Sequence, residues 1–256
     1  MGIVILILVI VGLFVGIVLV VKYLIFTHYL LDNFKRCNVL VAGKKGTGKD
    51  LLNAYVIRKR KEEHYANIPY DDNTNVIKLI EVNCGQNDYD HIVNDRIVQE
   101  DHRFKEGKDI YISDIGIYLP SYMDSKLYVK FPSMPVLYAL SRQLYGNNIH
   151  CNTQNIERGW KAIREQADFF VICRRTYKIF GFLITKMTTY DRYQSAKDDV
   201  RPVKTRLLNK YSKAEVDIYH AQQGEIREGY IIQRAKNLKY DTRYFEKVLL
   251  KGPRLS

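Results

Sequence analysis

Eight residues, Gly43-Lys-Lys-Gly-Thr-Gly-Lys-Asp50, carry the densest chemical signal in this sequence. They keep the G-x-x-x-x-G-K-x spacing of a phosphate-binding loop, with a short apolar run before them (38–42, NVLVA) and a helix-forming stretch after them (51–64). Glycines at 43, 46 and 48 let the backbone curl so that N–H groups face a phosphate, and the helix start adds positive potential. Lys44, Lys45 and Thr47 complete the curl, and Lys49 is placed to bridge the β- and γ-phosphates of ATP. Asp50 stands where a serine or threonine usually offers its hydroxyl to Mg2+. A carboxylate oxygen is also a hard ligand. Asp50 therefore either holds the metal or only charges the first helical turn.

A second acidic position lies further along the chain. Asp114 ends the apolar run 109–114 (DIYISD), where a strand-end aspartate would hold Mg2+ through water. The next residues are Ile115 and Gly116, so the glutamate that often orients the attacking water is not there. Glu81, in the run 75–82 (NVIKLIEV), is one substitute, against the plainer reading of a solvated strand residue. Gln154 closes 149–153 (IHCNT) and either contacts the γ-phosphate or caps the helix after it. Arg142, Arg158 and Arg164 are candidate fingers toward a neighbouring subunit's nucleotide.

These residues need a scaffold that brings strand ends to one edge. Runs of strand type at 38–42, 75–82, 109–114, 149–153 and 168–173 alternate with helical patterns at 51–64, 136–145 and 156–167. That alternation predicts an α/β fold of P-loop NTPase type, a parallel sheet with helices on both faces. Beyond it, 177–189 reads as a hairpin, 190–213 as polar and poorly periodic, 225–233 as a strand and 240–250 as a short helix. The expected organisation is an anchor with juxtamembrane segment (1–33), a P-loop ATPase domain (34–175) and a small basic α+β extension (176–256).

The anchor rests on Gly2 to Val21, 20 consecutive uncharged and almost wholly aliphatic positions. At ~1.5 Å per residue they span a hydrocarbon core of roughly 30 Å. No basic residue precedes the run and no small-residue cleavage site comes after it, so a retained span fits better than a removed leader. Lys22, Lys35 and Arg36 lie on its C-terminal side, which places the following domain in the cytoplasm. Gly12 and Gly16 form a G-x-x-x-G pair, either a helix-pairing face or ordinary membrane-helix glycines.

The net charge is +12, unevenly spread. Residues 174–256 hold 19 basic and 9 acidic side chains, against 20 and 18 in 34–173, so the positive field belongs to the C-terminal third. Its expected partner is nucleic acid or an anionic membrane surface, and the alternative is a lysine-rich solvated tail. Four separated cysteines (37, 84, 151, 173) and scattered histidines lack metal-site spacing, which leaves reduced thiols and no metal beyond one carried by nucleotide.

Taken in order, GKKGTGKD, EVNCG, DIYISDIG, LSRQLYGNNIHCNTQN and ADFFVICRR resemble the zonula occludens toxin-like proteins, the gene I-type assembly ATPases of filamentous phages. The likeness covers about 38–175, with Ser141-Arg142 and the strand ending in Gln154 narrowing it beyond P-loop proteins in general. It implies an oligomeric, single-pass ATPase of the host inner membrane that uses ATP and Mg2+ to assemble and extrude a single-stranded DNA phage. It also implies Lys49 on the phosphates, Asp114 on the metal and Gln154 sensing the γ-phosphate, with single-stranded DNA or coat protein as partners of the basic third. Two features depart from that family: the span precedes the ATPase domain, and no glutamate comes after Asp114. A conjugation- or segregation-type DNA translocase and a nucleotide-gated membrane scaffold with little turnover are the alternatives. If the basic third grips DNA phosphates, its affinity for single-stranded DNA should fall about tenfold or more between ~50 and ~200 mM salt. Filter binding measures this, and a salt-independent affinity excludes that role.

Overall fold

The computed structural model describes residues 2–71, 74–76, 107–115, 121–123, 134–200 and 225–237. A single helix, α1 (Gly2–Arg36), leads into β1 (Val39–Ala42), followed by α2 (Lys49–Arg60), β2 (His64–Ala66), β3 (Thr74–Val76) and β4 (Asp109–Ile112). Then come α3 (Met134–Tyr145), β5 (Ile149–Thr153), α4 (Lys161–Gln166), β6 (Phe169–Ile179), β7 (Phe182–Tyr190), α5 (Tyr193–Val200) and β8 (Ile226–Arg234). The strands form one eight-stranded sheet in the order β3-β2-β4-β5-β1-β6-β7-β8. The first six are parallel, and β7 runs antiparallel to both β6 and β8.

The sequence dictates much of this. Val39 to Ala42 are apolar without alternation because β1 is buried on both faces, as central parallel strands are. Leu40 and Ala42 face a core with Ile112, Cys151 and Phe170, capped by Tyr138 of α3 and Ile163 of α4. Val39 and Val41 face the opposite core with Tyr111 and Val171, covered by Leu52, Tyr55 and Val56 of α2. Parallel strands all end at one edge, and in such sheets ligands bind there. The hairpin expected at 177–189 is longer, running through β6 and β7, and β8 extends the same sheet. Two elements were not anticipated: β2, three residues long, and α5, inside the stretch read as poorly periodic. The helix expected at 240–250 lies outside the described residues.

The helix α1 is the one element among the described residues long and apolar enough to cross a membrane. Its apolar first half is exposed, Phe14 at 67 %, whereas Phe26, Leu30 and Phe34 are buried in the α2-side core. The boundary expected at residue 33 thus falls inside a continuous helix that serves both parts. Gly229 of β8 is what lets α1 settle: a Cβ there would sit 2.2 Å from the Phe26 ring. The Arg227 guanidinium stacks 3.8 Å from the Tyr29 ring centroid beside it.

At the other edge of the sheet, where the strands begin, a buried polar cluster holds the end of α1. Arg60 pairs with Asp109 and donates to the Phe34 carbonyl at 3.0 Å. Asn148 donates to Lys35 O at 3.0 Å and, through its backbone N–H, to Asp109 at 2.9 Å. Burial alone would raise the Asp109 carboxyl, but the His150 hydrogen bond, the neighbouring positive charge and the Asn148 amide draw it down to about 2. Burial pushes His150 below the ordinary histidine value, which its hydrogen bond to Asp109 only partly offsets.

Gly229→Val should lower stability by ~1–3 kcal/mol through overpacking against Phe26, read as a lower midpoint in denaturant titration of the detergent-solubilised chain. Acidification should destabilise the fold in two windows, measurable by thermal melts across pH. His150, depressed in the folded state, contributes stability present above its ordinary 6.5 and lost as pH falls below it. Asp109 contributes stability present above 3.8 and lost as pH falls toward about 2.

Candidate nucleotide-binding site

The phosphate-type loop spans the gap between β1 and α2 at the carboxyl edge of the sheet. It is anchored at its start by Gly43 N–H to Thr153 O of β5 (3.2 Å) and closed by Thr47, whose N–H and hydroxyl both donate to Lys44 O at 3.2 and 2.8 Å. The amides of Lys45, Gly46 and Gly48 have no acceptor among the described residues. Together with the opening amides of α2 they leave a set of donors suited to an anion. Gly48, at φ +97, packs against the β6–β7 hairpin so closely that a Cβ would lie 2.4 Å from Thr176 Oγ1. Thr176 in turn donates to Thr47 O at 3.0 Å, so the hairpin braces the loop from outside.

Lys49 is only 7 % exposed, and its ammonium makes no hydrogen bond or ion pair among the described residues. Its aliphatic stem is packed in the domain while the ammonium is left free to meet an anion. Thus the loop offers amide donors and one committed positive charge.

Asp50, in the first turn of α2, is held in a network. Its Oδ1 accepts from the Ser113 hydroxyl at 2.6 Å, from Asn152 Nδ2 at 2.7 Å and from the Tyr70 hydroxyl at 3.3 Å. All three bonds fall on Oδ1, and Oδ2 has no partner among the described residues. Asn152 also donates to Ser113 Oγ at 2.9 Å, and its Oδ1 accepts the Asp114 backbone N–H at 2.5 Å. Asn67 clamps Ser113 from below, accepting its N–H at 2.8 Å and donating to its carbonyl at 3.0 Å. Ser113, Asn152 and Asn67 are all nearly fully buried.

Asp114 leaves the strand path at φ +52, a left-handed conformation that aspartate tolerates better than most residues. Its carboxyl is raised above the ordinary range by burial first, then by the neighbouring Asp50 charge, with Lys49 pulling the other way. Asp50 and Asp114 therefore sit in each other's electrostatic reach. The donor set fits a hard cation: Oδ2 of Asp50, the Asp114 carboxylate and the Ser113 hydroxyl are all oxygen ligands. When bound, Mg2+ would neutralise phosphate charge.

The other expected residues divide. Gln154 is exposed immediately after β5, at the same sheet edge as Gly43. Arg158 is exposed in the loop beyond it, while Arg164 is committed to the Glu157 carbonyl at 3.0 Å. Arg142 is not brought to the loop. It sits near the end of α3, donating to the Arg36 carbonyl at the edge where the strands begin, so within one chain it stands apart from Lys49. Glu81 lies outside the described residues. Sequence reasoning missed Ser113, Asn152, Asn67, Tyr70 and Thr176. The signal for the first was a hydroxyl one residue before Asp114, in a chain whose loop carries a carboxylate where a hydroxyl is usual.

This is a P-loop NTPase fold: a mostly parallel sheet flanked by helices, with the loop between its central strand and the next helix. It is similar to the N-terminal domain of zonular occludens toxin from Neisseria meningitidis, at 12 % identity and TM-score 0.45, covering 82 % of this chain and 97 % of that one. The genome packaging NTPase B204 of Sulfolobus turreted icosahedral virus 2, in complex with AMP, is similar at 13 % identity and TM-score 0.39, covering 81 % and 96 %. The Pif1 helicase of Candida albicans is similar at 15 % identity and TM-score 0.34, covering 59 % and 39 %. No family model matches the sequence, and no curated relative does.

Because Gly48 is pressed against Thr176, Gly48→Ala should lower affinity for a fluorescent ATP analogue about tenfold or more, ~1.4 kcal/mol. The circular dichroism spectrum should stay unchanged.

Proposed function

We propose that this chain is a membrane-anchored P-loop ATPase that drives assembly and export of a filamentous, single-stranded DNA phage. The observation that carries the nucleotide-binding part is the Lys49 side chain, largely buried and without a hydrogen bond or ion pair among the described residues, beside the acceptor-free amides of Lys45, Gly46 and Gly48. A triphosphate satisfies both at once. Hydrolysis is supported by two carboxylates, Asp50 and Asp114, converging beside that lysine. Gln154 and Arg158, at the same edge, are the groups for γ-phosphate contact and for reaching a neighbouring subunit.

Attachment to the host inner membrane, with the ATPase domain cytoplasmic, is supported by the length and apolarity of α1 and the basic residues at its end. The anchor is joined mechanically to the loop. Tyr23 of α1 meets Tyr55 of α2 through their hydroxyls at 3.2 Å, and α2 begins at Lys49. Helix α2 therefore touches both the phosphate loop and α1. Export of a virion rests on the motif resemblance and on the basic C-terminal third as the surface for DNA or coat protein.

A second reading, a nucleotide-gated membrane scaffold, is favoured by the replacement of the loop hydroxyl with Asp50. Turnover separates the two. The full chain in detergent or nanodiscs should hydrolyse Mg·ATP, and Lys49→Ala should abolish both uptake and turnover. Saturable nucleotide binding with no phosphate release establishes the scaffold. Stimulation by duplex rather than single-stranded DNA establishes a translocase.

A further inference from the structure

We infer that the metal carboxylate and the metal hydroxyl have exchanged places in this chain, so that Asp50 and Ser113 hold the cation and Asp114 orients the attacking water. The inference rests on the nucleotide-binding reading above and deepens it. In P-loop NTPases a hydroxyl from the first helical turn and a carboxylate from the end of a sheet strand meet at Mg2+. Here the same two places in the fold meet, the Ser113 hydroxyl donating to Asp50 Oδ1 at 2.6 Å, but the side chains are reversed: the helix supplies the Asp50 carboxylate, with Oδ2 left for the cation, and the strand end supplies Ser113 Oγ. The pair keeps one negative charge and one neutral oxygen, so the charge presented to a cation is unchanged.

Placement of Ser113 supports the exchange over a reading in which Asp114 is the strand-end ligand. Ser113 is the residue directly after β4 and is 1 % exposed, with its backbone gripped on both sides by Asn67. Asn152 of the neighbouring strand β5 donates to both members of the pair. Asp114 is turned away from the strand path by its positive φ, and its carboxylate accepts no hydrogen bond among the described residues. It stands one residue beyond the strand-end ligand, the place from which an acid orients water. The glutamate sought after Asp114 is then not missing, because Asp114 itself fills that place.

In the reaction the water oxygen bonds the γ-phosphorus and the bond from phosphorus to the bridging oxygen breaks. ADP departs with that oxygen's electron pair. The water proton passes to the Asp114 carboxylate and then to the phosphate product, which restores Asp114.

The test compares the full-length wild type with Asp50→Ser, the exchange variant Asp50→Ser/Ser113→Asp, and Asp114→Asn. The affinity of a fluorescent ATP analogue is measured in Mg2+ and in EDTA, and Mn2+ binding is tracked by electron paramagnetic resonance. Asp50→Ser should lose the Mg2+-dependent gain in affinity, by about tenfold or more, while keeping its EDTA affinity. The exchange variant should recover the gain. Asp114→Asn should keep the gain and the Mn2+ signal but lose about 10²-fold or more in turnover. The assignment is overturned if Asp114→Asn removes the metal-dependent gain while Asp50→Ser retains it, or if the exchange variant binds nucleotide in EDTA without recovering the gain. EDTA affinity serves as the folding control, with Asp50→Asn replacing Asp50→Ser should the latter unfold. A wild type that takes up no nucleotide in either condition instead defeats the nucleotide reading, which is a distinct result.

Discussion

The hydrogen bond between the Ser113 hydroxyl and the Asp50 carboxylate is the contact on which the site depends. It ties the first turn of α2 to the end of β4, two segments 63 residues apart in the chain. Asn152 adds the end of β5, so three elements converge on one carboxylate oxygen. A partly buried carboxylate is better tolerated when its oxygens are well supplied with donors. Here one oxygen receives three, while the other has no partner among the described residues.

That concentration of polar groups is tolerated because of its surroundings. Two apolar cores, one on each face of the sheet, fix the strands whose ends carry these groups. The β6–β7 hairpin then closes over the loop, with Thr176 on Thr47 and against Gly48. The antiparallel extension thus does more than lengthen the sheet, because it sets the outer wall of the phosphate loop. At the opposite edge, Arg60, Asp109, Asn148 and His150 fasten the end of α1 to the starts of the strands. The long apolar helix α1 is consequently built into the domain at Phe26, Leu30 and Phe34.

Helix α1 has two halves that differ in burial. Its first half is apolar on every side, as suits lipid surroundings, and no stripe marks a buried face there. Its second half buries an i, i+4, i+8 row while Lys35 and Arg36 finish the helix, where positive charge complements the helix dipole. A boundary drawn at residue 33 does not register this, because the apolar positions 26, 30 and 34 that enter the core lie on both sides of it.

The sequence alone determined the phosphate loop, the parallel α/β class and the membrane-length helix, because each is a local pattern. Glycine spacing sets backbone freedom, unbroken apolar runs mark strands buried on both faces, and a 20-residue apolar stretch marks a span. Strand 149–153 was legible to the residue for the same reason. What only the tertiary structure decided was which polar side chains meet. Ser113, Asn152 and Asn67 carry no local mark that separates them from ordinary serines and asparagines, and their roles arise from strand order, which places β5 beside β1 and β4 beside β5. Arg142 reads as a candidate arginine finger in the sequence, but its place near the end of α3 puts it at the edge opposite the loop, on the Arg36 carbonyl. The three-residue β2 and the helix α5 were missed because segments that short, or that polar, owe their form to neighbours rather than to their own periodicity.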